Sequence, residues 1–90
     1  MYYESTRDRD AASEALNQAI RQDTPEAWDA AARAARLAAA EGWGSARLCG
    51  AWAPQEASSA RYWAQAARGA AEAARETDRA RRMEIARALS

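Results

Sequence analysis

The chain contains no histidine, lysine, phenylalanine or valine, and it has a single cysteine, Cys49. Without histidine, both the usual general base at neutral pH and the commonest metal ligand are missing. A lone cysteine excludes an internal disulfide. Cys49 also has no second thiol or imidazole beside it, so it lacks the partner of a thiol nucleophile and the ligand set of a zinc site. Between Leu48 and Gly50 it is expected to be a small buried hydrophobe. With valine absent and only Ile20, Ile85 and a few threonines β-branched, no segment has the composition of a strand.

Other absences bound the class further. No stretch approaches about 18 apolar residues without an Arg or Glu, so no membrane span is expected. The N-terminal MYYESTRDRD has neither a basic n-region nor an apolar h-region. A signal peptide is therefore not expected, and a cytoplasmic location is. Gly42-Trp43-Gly44 lacks the lysine and the length of a phosphate-cradling loop. No catalytic residue, metal site or cofactor is expected, and an enzyme is the least favoured reading.

What is present is alanine, roughly a third of the chain and far above ordinary usage. With Leu, Arg, Glu and Gln it makes up the longer segments, and these are the strong helix formers. The expectation is an all-α fold: one domain over residues 1–90, a small Ala-rich bundle of four or five helices. Alanine contributes little burial energy, about 0.8 kcal/mol per methyl. The anchors must be the four tryptophans, the few Leu and Ile, and the tyrosines. Thirteen bases, all arginine, balance thirteen acids. Zero net charge argues against a dedicated nucleic-acid or membrane-surface binder.

Residues 1–5 are expected to form a flexible or docked tail, with Ser5 or Thr6 capping a helix that ends near Gln22. Ala12, Ala15, Leu16, Ala19 and Ile20 give it one buried face. Thr24, Pro25 and Glu26 have the chemistry of a helix start: an N-cap, a proline at the first helical position and an acid at the positive dipole end. The helix they open, about 24–41, confines its charges to Glu26, Asp29, Arg33 and Arg36 and is otherwise Ala, Leu37 and Trp28. That pattern predicts a central helix packed on several sides. Gly42 is placed to end it, and Ser45 to cap a short helix over 46–53. Pro54 opens a long helix to about residue 76, which either continues to the C-terminus or restarts at Thr77-Asp78 with Asp78 as cap.

Trp28 and Trp63 open a shared W-x-x-A-A-R pattern 35 residues apart, a spacing within the range of helical repeats. The segment GWGSARLCGAWAP loosely resembles the second helix of a tetratricopeptide-type hairpin. The resemblance covers one repeat, and Ala31, Ala32 and Ala35 stand where that family prefers Leu, Gly and Tyr. No family is assigned on it.

Two features are candidates for contact with a partner. Arg61, Arg68, Arg75 and Arg82 follow one another at heptad spacing and would line one edge of a continuous helix. The competing interpretation is a solvated edge paired with Glu72, Glu76, Asp78 and Glu84. Trp43, between two glycines at the turn after the central helix and near Arg47, can present an aromatic outward or equally fold back to cap the bundle end. Trp28, Trp52 and Trp63 are expected in the core.

The function best matched by size and missing chemistry is a non-catalytic inhibitor or adaptor that binds another protein, as bacterial and phage anti-CRISPR and toxin-neutralising proteins do. The alternatives are a nucleic-acid-associated regulator using the arginine edge, and a self-assembling or engineered bundle. A homodimer is possible because Ala-faced helices can pair within one chain or between two.

Overall fold

A computed structural model describes residues 2–48 and 53–89, with side chains described for 8–44 and 54–89. Those residues form four helices and no strand: α1 (Tyr2–Gln22), α2 (Pro25–Leu48), α3 (Ala53–Arg75) and α4 (Arg79–Leu89). The bundle is compact and elongated, 43 × 18 × 16 Å, its length set by the two longest helices. α2 is the central element: it packs against α1 and, more extensively, against α3, while α4 folds back on α3.

The α1–α2 turn is built from local chemistry. Asp23 adopts the left-handed conformation, φ 50°, which a short polar side chain tolerates better than most. Its amide donates to the Ala19 carbonyl at 2.8 Å and closes α1. Thr24 caps α2 as expected, its Oγ1 accepting from the Ala27 amide at 3.1 Å. The same logic ends the bundle. Asp78 Oδ1 accepts from the Ala80 amide at 3.0 Å, so α4 is a separate helix and not a continuation of α3.

Two alanine-rich clusters each form around one tryptophan. Trp28, fully buried, packs with Leu16, Ala19, Ala31, Ala32, Ala70, Ala73 and Ala86. Trp63 packs with Ala12, Ala35, Ala38, Ala39, Ala66 and Ala67. Leu89, at the end of α4, touches both clusters. At the other end of the bundle, Arg9 of α1 makes an ion pair with Glu56, a buried acid in the first turn of α3. Trp52 and Cys49 lie outside the described residues.

Three expectations need correction. α1 begins at Tyr2 and so includes Ser5 and Thr6, since no proline or glycine interrupts Tyr2–Gln22. α2 does not stop at Gly42 but runs to Leu48, absorbing the start of the expected short helix; residues 49–52 lie outside the described residues, and Ala53 already belongs to α3. The reason lies across the interface. A Cβ on Gly42 would stand 2.9 Å from the Ala60 Cβ and 3.2 Å from its Cα, so this glycine permits close helix approach and is not a terminator. The third concerns how far round α2 the packing extends: among the described residues it packs against α1 and α3, but the opposite arc is open and Leu37 is 63% exposed.

Candidate functional site

The four heptad arginines divide at the α3–α4 break. Arg61, Arg68 and Arg75 are exposed on α3, spaced about two helical turns apart. Arg82 leaves the series because its helix has turned back, and its guanidinium faces the α1–α2 turn. Nε and Nη2 donate to Asp23 Oδ1 and Oδ2 at 2.9 and 3.1 Å, and Nη1 donates to the Glu76 carbonyl at 2.9 Å. Asp23 Oδ1 also accepts from Trp28 Nε1 at 3.0 Å. One carboxylate thus ties the first turn, the buried tryptophan of α2 and the last helix together. Its pKa lies below the ordinary 3.8, chiefly because Arg82 and then Trp28 hydrogen-bond the charged form; the Arg82 guanidinium is in turn held more firmly protonated by Asp23. A carboxylate held ionised by these donors is a weak base. The cluster braces the fold.

The acids expected to neutralise the arginine edge are engaged elsewhere. Arg81 reaches Glu72 at 3.4 Å and Glu84 at 3.5 Å. Glu76 Oε1 accepts from the Asp78 amide at 3.1 Å, and Asp78 caps α4. Among the described residues, none of these acids forms an ion pair with Arg61, Arg68 or Arg75.

Trp43 is 41% exposed and lies on α2 immediately after the Gly42–Ala60 crossing. Arg61 follows Ala60 on the facing helix, so aromatic and cation emerge at the same end of the bundle. Beyond Trp43, Gly44 is open, with nothing within 4 Å of where a Cβ would stand. The Arg47 side chain lies outside the described residues. Tyr62, 47% exposed, stacks edge-on against Trp63 with ring centroids 4.9 Å apart, and its hydroxyl donates to the Leu89 carbonyl at 3.3 Å.

Trp43 and three of the arginines are therefore each exposed. Sequence reasoning missed the Asp23 cluster. Its local half was visible as an aspartate at a helix junction five residues before a tryptophan, but its Arg82 half comes from 59 residues away. Among the described residues, no group of three Cys, Asp or Glu side chains could hold a metal ion, and no helix is long and apolar enough to cross a membrane. Comparison with protein-family models, curated proteins and solved structures returned no match to this chain.

Proposed function

We propose that this chain is a non-catalytic protein-binding module, an intracellular inhibitor or adaptor that acts by contact, of the kind bacterial and phage genomes encode as anti-CRISPR or toxin-neutralising proteins. The observation that carries the reading is Trp43, a large aromatic left 41% exposed on α2 one residue past the Gly42–Ala60 crossing, which the exposed Arg61 also follows on α3. Trp and Arg are the residue types most enriched among interface hot spots. A rigid helix presents them at low ordering cost. Arg68 and Arg75 extend the surface along α3, and Arg47 belongs to the same corner by sequence. Arg82 is left out, since its donors are committed to Asp23 and the Glu76 carbonyl.

The test is capture of partners from host lysate with the tagged chain, with and without nuclease, read by mass spectrometry. A stoichiometric protein partner that survives nuclease supports the reading. Loss of the captured material on nuclease treatment supports the alternative, a nucleic-acid-associated regulator. That second reading is favoured because, among the described residues, no acid forms an ion pair with Arg61, Arg68 or Arg75. It predicts a slope of about −3 in log affinity against log salt if all three meet phosphates.

A further inference from the structure

The exposed arc of α2 carries a pattern that is self-complementary under reversal. Leu37 stands at its centre, 63% exposed. Three residues to either side are Ala34 and Ala40; four residues to either side are Arg33 and Glu41; seven residues to either side are Ala30 and Gly44. Offsets of three, four and seven share one helix face. Ala30, Arg33, Leu37, Ala40 and Gly44 are all exposed, while Ala34 and Glu41 are half-buried along the flank. On this face the side chains around Leu37 are thus small, apart from two of opposite charge placed symmetrically about it; Arg36, also exposed, lies about 100° further round the helix.

We infer that this face of α2 is a homodimer interface, in which a second copy of the chain packs its own α2 antiparallel across a two-fold axis at Leu37. The axis sets Leu37 against the partner's Leu37 and brings Ala34 level with the partner's Ala40. Ala30 comes level with the partner's Gly44, where nothing stands within 4 Å of a would-be Cβ, so two backbones can approach closely. Charge selects the orientation. Antiparallel pairing brings each Arg33 level with the partner's Glu41, twice by symmetry, whereas parallel pairing would bring like charges together. Arg33 now bonds Asp29 through Nη1 at 2.9 Å, with both side chains exposed, an i,i+4 contact weak enough to yield. Apart from Ala34, which borders both, the face is distinct from the Ala surfaces of α2 and α3 that pack against each other within one chain. A single helix seam falls at the small end of interface sizes, so the dimer is a weak one that forms at high concentration.

The test is sedimentation equilibrium of the full chain from micromolar to about millimolar concentration, with circular dichroism on each variant. The wild type is expected to approach a dimer mass. Leu37→Glu, at an exposed position, keeps helicity and remains a monomer. Arg33→Glu weakens association at least about tenfold by facing two acids across the seam, and the double variant R33E/E41R restores it. The two positions lie too far apart along one helix to pair within a chain, so restoration reports an intermolecular contact. A wild type that stays monomeric throughout overturns the inference, and so does a double variant no better than R33E. A face that serves a different protein gives the first of these results.

Discussion

Asp23 and Arg82 stand 59 residues apart in the chain, yet the guanidinium of one closes a two-pronged hydrogen bond on the carboxylate of the other, at 2.9 and 3.1 Å. Asp23 sits at the single non-glycine position with positive φ among the described residues. The residue that reverses the chain between α1 and α2 is thus also the receptor for α4. The shortest helix is held by a polar clasp together with Ala86, Ile85 and Leu89, which reach the alanine-rich core.

This clasp gives the fold an acid limit. The folded pKa of Asp23 is depressed below 3.8, so its contribution to stability is complete above that value and is lost as pH falls through the folded pKa. Arg82, shifted upward, stays charged at every working pH and adds no second transition. Asp23→Asn keeps a residue that tolerates the left-handed backbone while removing the charge. Melting temperature measured from pH 7 to 2 should fall more steeply below about pH 4 in the wild type than in this variant. Parallel curves would show that the pair contributes no pH-dependent stability.

Trp28→Phe tests the indole's share. Most of the buried ring surface survives, but Asp23 loses the Nε1 donor at 3.0 Å. The expected loss is about 1–2 kcal/mol in chemical denaturation, with helicity unchanged in the folded state.

Two glycines on one helix should respond with opposite signs. At Gly42 the added methyl meets Ala60 Cβ and backbone atoms at 2.9–3.3 Å, none of which can rotate away. Overpacking of about 1–3 kcal/mol should exceed the helix-propensity gain of about 1 kcal/mol, so Gly42→Ala destabilises. Gly44→Ala meets open space and keeps the propensity gain, up to about 1 kcal/mol, measured at low protein concentration. Equal effects at the two sites would contradict the close crossing of α2 and α3.

Gly69 is an intermediate case. Its nearest neighbour is the Leu89 side chain, with Cδ2 3.0 Å from the would-be Cβ. A leucine tip on the terminal helix can shift by tenths of an ångström, so Gly69→Ala is expected to be neutral to mildly stabilising, within about 0.5 kcal/mol. A loss as large as that at Gly42 would show α4 to be more rigidly seated than this.

Elements written in neighbouring residues were legible in the sequence. Thr24 and Asp78 cap where their side chains suggest, and Trp28 and Trp63 anchor the faces their helical spacing marks. Features that depend on a distant partner were not legible. Gly42 has the look of a terminator until Ala60 is placed over it. Arg82 completes a heptad series until the chain turns at Asp78 and hands it to Asp23. Leu37 is exposed for another reason: it borders the stripe of Glu26, Asp29, Arg33 and Arg36, and the alanines flanking that stripe do not say how far the wet arc extends. Of the candidate contact residues, only exposure was legible: Arg61, Arg68 and Arg75 lie on the wet side of α3, as a solvated edge also would, whereas Trp43, expected in a turn after α2, is exposed within the helix itself.

The most direct test of the binding surface is a titration of the captured partner against wild type and the double variant W43A/R68E, with unfolding curves for both. The proposal predicts loss of capture in the double variant, with helicity and melting temperature close to wild type, because both side chains are exposed. Full capture by a folded double variant would contradict it.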